Sequence, residues 1–339
     1  MTDLIADTTE MACSIHPFDD ALQDLRVTGS LLLNEAYRQP WAIGIPDEAG
    51  LSCLLRQPCG QRTVPIHLVR RGSFELTIAG RDPIPVKEGE AVICMNGERH
   101  LMGLGHAPQE TSLVEALAGQ HPARTNSPPR ADSHLTCGVF SLHDTSLNPL
   151  LAALPPVLHL SFLAEERSTM LRQIADMLLA ELDEPSEISG YAIARLLELF
   201  CAAAIRRYMI DDGRQIPGWF RGLDDHRICK AIALVHGDPG HNWTVTDLAQ
   251  YIGLSPSRFA ARFREGVGQS VIAYVTQWRM HVAIKLIRDG KQSLPSIAKA
   301  VGYESFPAFS RAFKKVRGRS PSSWRSPKGA IVQDGKRPQ

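Results

Sequence analysis

Cationic side chains recur in two short windows of this 339-residue chain. Arg258, Arg262 and Arg264 stand in the first, and Ser310, Arg311, Lys314 and Lys315 in the second. Guanidinium and ammonium groups at helical spacing can displace counterions from phosphates, and a planar guanidinium can read a guanine edge through two hydrogen bonds. The two windows belong to an internal repeat. Thr244–Ser270 reads TVTDLAQYIGLSPSRFAARFREGVGQS, and Ser293–Ser320 reads SLPSIAKAVGYESFPAFSRAFKKVRGRS. Ala249 matches Ala298 and Gly253 matches Gly302 at a spacing of 49, while Phe263 matches Phe313 and Gly268 matches Gly318 at a spacing of 50.

The elements that must carry these cations follow from residue type. Ala249 and Ala298 are small enough for one helix to lie close on the next. Gly253 and Gly302 stand where the chain leaves a first helix and needs a positive φ. Ser255 and Ser305 are placed to cap a second helix, and Phe259/Phe263 and Phe309/Phe313 lie one turn apart to pin it down. Each copy is therefore expected to be a helix-turn-helix, whose second helix can enter a major groove. Between the copies, Val271 to Arg288 carries Ile272, Val275, Trp278, Val282, Leu286 and Ile287 at helical spacing. That stripe predicts a rigid connecting helix.

Charge supports the division. Residues 224–325 hold 16 Lys and Arg against 7 Asp and Glu, a local net of +9, whereas residues 1–223 net −10 and the whole chain nets only +1. A basic module on an acidic one is the footprint of a nucleic-acid binder. The alternative reading is a solvated basic face.

The C-terminal segment resembles the AraC-type (arabinose-regulator) family of transcription factors. The resemblance lies in Trp278-Arg279-Met280, Ala283, Leu286-Ile287, Ile297-Ala298, Val301-Gly302-Tyr303-Glu304-Ser305, Ala308 to Lys314 and Gly318-Arg319-Ser320-Pro321, and covers about residues 225–325. It implies groove contacts from Pro256, Ser257, Ala260 and Ala261 in the first reading helix. In the second it implies contacts from Phe306, Pro307, Ser310 and Arg311, next to Ser305. Arg258, Arg262, Arg264, Lys314 and Lys315 complete the expected DNA interface, with double-stranded operator DNA and RNA polymerase as partners. Arg311 is the candidate for a bidentate guanine contact. Small residues in the first helix leave its preference to phosphate contacts and DNA shape.

The N-terminal half changes period. Pro65–Val69, Ser73–Ile78 and Ala91–Cys94 are β-prone runs separated by glycines and prolines, and a further strand is expected at Leu135–Leu142. Residues 118–134 have loop composition. Residues 19–160 resemble the cupin-like N-terminal domain of one branch of the same family. That resemblance rests on Leu25 to Gly29, His67 to Gly72, Val86 to Glu90, Cys137-Gly138 and Pro149 to Pro155. It implies a small β-barrel receiving a small-molecule effector. Trp41, His67, Phe74 and His100 are the candidate pocket residues. All four could equally be structural. No cofactor or metal is assigned. Gly89 to His100 looks like a decayed cupin motif, and His67 lacks a neighbouring His partner. His67 with His100 and one of Cys53, Cys94 or Cys137 could ligate a metal, the alternative being buried, hydrogen-bonded histidines.

Helical periodicity resumes at Ser168–Leu182 and Gly190–Met209, two amphipathic helices that could cover the sheet or form a dimer contact. Seven cysteines without a CxxC pair read as reduced thiols, and neither a secretion signal nor a membrane-spanning run is evident. The expected fold is α+β and multidomain: a cupin-like β-barrel over 19–160, a helical linker or dimerisation segment over 161–212, and an all-α domain over 224–325. Its helix-turn-helix units fall at about 244–268 and 293–318. The expectation is a cytoplasmic, homodimeric, effector-controlled activator without catalytic residues. The rivals are a cupin-type metalloenzyme with a helical appendage and an architectural DNA binder without sequence preference.

Overall fold

A computed structural model describes residues 16–57, 61–143, 148–162, 169–184, 189–216 and 218–324. Residues 1–15 with Cys13, residues 58–60 with Cys59, parts of segment 161–212 and the chain from 325 onward lie outside the described residues. The described residues divide into two compact units, one within 21–143 and 149–221, the other joining 16–20 and Asn148 to 222–324.

The first unit is a curled, ten-stranded, cupin-like sheet. After helix α1 (Pro17–Asp24) come β1 (Thr28–Tyr37), β2 (Trp41–Ile45), α2 (Glu48–Leu54) and β3 (Arg62–Ile78). Then follow β4 (Ile84–Lys87), β5 (Glu90–Ile93), β6 (His100–Leu104), β7 (Glu110–Ser112) and a short helix α3 (Leu113–Leu117). β8 (Arg124–Thr125), β9 (Ser133–Leu142), α4 (Pro149–Ala153) and β10 (Leu158–Ser161) complete the sheet region. The main path runs β7-β2-β6-β3-β9-β1-β8, with β4 and β5 also paired to β3 and β10 paired to β5.

The long strand β3 organises the unit, and it corrects the sequence reading. Pro65–Val69 and Ser73–Ile78 are one strand, not two separated by a turn at Gly72. The ladder to β9 shifts register between Val69 and Arg71, and Gly72 continues the strand at φ +74°. A Cβ at Gly72 would stand 1.9 Å from the Asp132 carbonyl oxygen, so this glycine permits close strand approach at a bulge. The expected loop over 118–134 is also partly ordered structure: β8 pairs Ala36 with Thr125 and Tyr37 with Arg124, and a 3₁₀ turn follows at Pro128–Arg130. Turn-forming residues dominate that composition, and a two-residue strand leaves no periodic trace in it.

Helices α5 (Thr169–Asp183) and α6 (Ser189–Tyr208) belong to this same unit. The face of α6 carrying Ile193, Leu197, Phe200, Ala204 and Ile205 is buried. Gly29 on β1 admits α6, because a Cβ there would lie 2.6 Å from Leu197 Cβ and 2.8 Å from the Ala194 carbonyl oxygen. Met170, Met177, Tyr191 and Leu199 remain exposed on the pair.

The second unit is helical. After α7 (Trp219–Asp224) it contains α8 (His226–Gly237), α9 (Val245–Tyr251), α10 (Pro256–Val267), α11 (Val271–Asp289), α12 (Leu294–Ala300) and α13 (Phe306–Arg317). The predicted stripe of α11 needs one correction. Ile272 is 48% exposed, and the buried line instead runs through Val271, Tyr274, Val275, Trp278, Ala283, Ile284 and Ile287. The helix presents buried faces to both repeats, so a single 3.6-residue stripe undercounts its core. Its last two turns join α12 and α13 in one cluster: Ala283, Ile284, Ile287, Ile297, Ala298, Val301, Phe309 and Phe313.

Candidate nucleic-acid interface and sheet interior

Each repeat builds its projecting helix in the same way. Thr244 caps α9 through a reciprocal box with Asp247, and Ser293 caps α12 by accepting from the Ser296 amide. Gly253 and Gly302 turn the chain at φ +66° and +80°. Ser255 and Ser305 then open α10 and α13, accepting from the amides of Arg258 and Ala308, with Pro256 and Pro307 in the first turn, where the missing N–H costs nothing. Phe259 and Phe263, like Phe309 and Phe313, are essentially fully buried. Holding one face of each helix inward forces the opposite face into solvent.

That outward face holds the residues expected to touch DNA. Pro256, Ser257, Arg258, Ala261, Arg262 and Arg264 are exposed on α10, with Ala260 half-buried. On α13, Pro307, Arg311, Lys314 and Lys315 are exposed beside the exposed cap Ser305, whereas Phe306 and Ser310 are half-buried. Phe306 leans toward the hydrophobic cluster of its own repeat, its ring 6.3 Å from Phe309. Arg262 has a further partner: its guanidinium is ion-paired with Asp225, the N-cap of α8, whose carboxylate also accepts from the Arg227 and Ile228 amides. Burial alone would raise the Asp225 pKa, but the Arg262 hydrogen bond and charge and the two amides outweigh it and hold it below the usual carboxylate value. The pair joins residues 37 positions apart, and no local pattern signals it.

The motif Trp278-Arg279-Met280 gives no sign of what Arg279 does in the fold. From α11 its Nε donates to the Pro239 carbonyl at 2.9 Å and its Nη2 to the His241 carbonyl at 2.7 Å, with the guanidinium lying over the Tyr303 ring. A Cβ at Gly302 would stand 2.6 Å from the Gly240 carbonyl oxygen and 2.7 Å from Arg279 Nη2. The second turn is therefore clamped to the 239–241 loop, whereas a Cβ at Gly253 would meet nothing within 4 Å. His236 on α8 is stacked flat on Trp278 at 3.5 Å, with its Nδ1 3.0 Å from Asp20 and its Nε2 2.7 Å from the Tyr274 hydroxyl. This ties α8 to the connecting helix.

In the sheet unit, Trp41, His67, Phe74 and His100 come together inside the curl, and all four are buried. Phe74 lies between the other rings, 6.4 Å from Trp41 and 6.3 Å from His67. The Trp41 indole N–H is satisfied by the Ser133 hydroxyl at 3.0 Å, and its ring stacks on Tyr37. The two imidazoles face each other, Nε2 to Nε2, at 2.9 Å. Burial, and for His67 the neighbouring ring as well, pushes both histidines below the ordinary value, so they are neutral near pH 7. Cys94 stands beside them and Cys53 lies on the surface of α2. A separate cleft of about 740 Å³ is lined by Glu48, Ser52, Ile78, Asn96 and Arg99 among others.

Comparisons with known proteins match both units. A cupin family model covers residues 16–210, running through the whole of α5 and α6, and a helix-turn-helix domain model covers residues 248–326. An AraC-like transcription regulator of Streptomyces lividans is 32% identical over 78% of this chain and 87% of its own length. The transcriptional regulator AlkR of Acinetobacter baylyi is 26% identical over 76% of this chain and 86% of its own. The arabinose operon regulatory protein of Escherichia coli is 34% identical over 25% of this chain and 29% of its own length. Among solved structures, ToxT of Vibrio cholerae covers 89% of this chain and 97% of its own at 13% identity, with a TM-score of 0.34.

Proposed function

The chain belongs to the AraC-like family of transcription regulators, and from that premise we propose that it activates transcription from a specific operator under control of a small-molecule effector. The observation that carries the DNA-binding part is the pair of helices, α10 and α13, each holding its aromatic residues inward and its cations outward. Arginines and lysines on those faces neutralise phosphates, which supplies affinity and makes it salt-dependent. Base preference comes from the N-terminal turns: Arg311 toward a guanine edge, Pro307 and the exposed part of Phe306 toward thymine methyls, and Pro256, Ser257, Ala260 and Ala261 through close fit to the groove. The connecting helix α11 sets the separation of the two reading helices so that they meet successive major-groove faces, roughly 34 Å apart.

The cupin-like sheet is the regulatory unit in this reading, with the interior around Trp41, His67, Phe74 and His100 as the effector site. An effector acts by binding one arrangement of the protein better than another. The exposed apolar residues of α5 and α6 (Met170, Met177, Tyr191 and Leu199) are the proposed contact between two copies, which would bring paired reading units to a repeated operator. RNA polymerase is the proposed partner of the DNA-bound form, the protein works in the cytoplasm, and its role is regulation rather than catalysis. Genome-wide mapping of bound sites, followed by competition binding of a recovered site against random DNA, tests this reading. Preference of at least about 1,000-fold for the recovered site is expected. Equal binding to both would leave an architectural binder instead.

A further inference from the structure

His67, Cys94 and His100 form a group whose ligand atoms all lie within 4.8 Å of one another, and all three residues are buried. They reach that point from three places: His67 from the middle of β3, Cys94 from the residue after β5, and His100 from the first position of β6. Polar groups brought into an apolar interior carry a desolvation cost, and here the surroundings are Trp41, Phe74, Met102 and Cys137. A hydrogen bond between the two rings satisfies one nitrogen of each. It leaves His67 Nδ1 buried without a partner.

The orientation of the donors suits an ion. The Nδ1 of His100 donates to the Glu98 carbonyl at 2.8 Å, which leaves its Nε2 lone pair facing the group. Metal-ligating histidines are commonly held by such a bond from the other ring nitrogen. A trigonal d¹⁰ ion with nitrogen at about 2.0 Å and sulfur at about 2.3 Å requires a nitrogen–sulfur separation of about 3.7 Å and a nitrogen–nitrogen separation of about 3.5 Å. His100 Nε2 lies 3.8 Å from Cys94 Sγ, and the two Nε2 atoms, at 2.9 Å, need only part by a fraction of an ångström. Cys137 faces His67 across the β3–β9 ladder but is not in the group.

Charge selects the kind of ion. Binding moves the His67 ring proton from Nε2 to the unpartnered Nδ1 and converts the Cys94 thiol to a thiolate with release of one proton, so both imidazoles stay neutral. A monovalent cation then forms a centre of zero net charge, whereas a divalent one leaves a buried positive charge without compensation. Thiolate and imidazole donors also suit soft cations. We propose that His67, Cys94 and His100 bind a monovalent thiophilic cation, Cu(I), inside the cupin-like sheet. The loop from Asn96 to Arg99, between two of the ligands, lines the 740 Å³ cleft. The proposal goes beyond the regulatory reading and does not depend on DNA binding.

The test is anaerobic titration of the full chain with Cu(I) against a chromophoric Cu(I) chelator, in parallel with Zn(II) against its own chelator. One Cu(I) per chain is expected, bound more tightly than Zn(II), with an X-ray absorption spectrum fitted by one sulfur and two nitrogens. Cys94→Ser should weaken binding by more than about 100-fold, beyond the loss from removing an outer-shell partner, while Cys137→Ser should match the native chain. Coordination by sulfur alone, tighter binding of Zn(II), or unchanged affinity in Cys94→Ser would overturn the proposal. Should Cys94→Ser not fold, the sulfur and nitrogen count in the native chain decides the matter.

Discussion

The repeat supplies a matched experiment on one substitution. Gly253 and Gly302 occupy equivalent turns with φ of +66° and +80°, so an alanine at either position meets the same backbone penalty, about 1 kcal/mol. They differ in what a Cβ would touch. At Gly253 there is nothing within 4 Å, whereas at Gly302 the Gly240 carbonyl oxygen and Arg279 Nη2 stand at 2.6 and 2.7 Å. Relief of that overlap must move the 239–241 loop or pull the guanidinium off the His241 carbonyl, and losing a hydrogen bond to a charged group adds about 2 kcal/mol. Gly253→Ala should therefore cost about 1 kcal/mol and Gly302→Ala about 3 kcal/mol, a difference of about 30-fold in the opening equilibrium. The reporters are equivalent amides: Leu254 donates to Ala249 and Tyr303 donates to Ala298, each at 2.9 Å. Hydrogen exchange of the peptides spanning the two turns reads the difference directly. Equal loss of protection in the two variants would refute the argument that Arg279 clamps the second turn.

Other substitutions probe the interface and the core. Asp225→Asn keeps a good N-cap for α8 but releases Arg262, so the dependence of log affinity on log salt should steepen by about one contact; an unchanged slope in anisotropy titrations would show that Arg262 does not reach phosphate. Arg311→Ala should relax preference at one base position by about 1–3 kcal/mol in competition binding, with the other positions unaffected. Phe309→Ala removes a fully buried ring from the second repeat and should cost about 3–5 kcal/mol in urea unfolding. Charge placed on the exposed apolar face of α5, as in Met177→Glu, should shift light-scattering mass on operator DNA from two chains to one. A monomer in the native chain would remove the dimer contact altogether.

The C-terminal unit was legible because its determinants are local and repeated. Ser255, Gly253 and Phe263 each find their function within a few residues, and the second copy restates the pattern. What stayed hidden is long-range. The Arg262–Asp225 pair and the Arg279 clamp join residues 37 to 40 positions apart, and the register that unites β3 across Gly72 is set by β9. A glycine inside a bulged strand and a glycine in a turn look alike in sequence. The sheet interior was half legible: His67 and His100 were singled out as pocket candidates, but the choice among Cys53, Cys94 and Cys137 needed the pairing of strands that puts Cys94 beside the rings.

The central claim is that α10 and α13 meet successive major-groove faces of one duplex. Footprinting of the full chain at low salt, on a site recovered from bound chromosomal fragments, tests it most directly. The account predicts two protected patches about one helical turn apart on the same face of the DNA, with the α13 patch weakened by Arg311→Ala. No protection at low salt, or a single patch indifferent to that substitution, would contradict it.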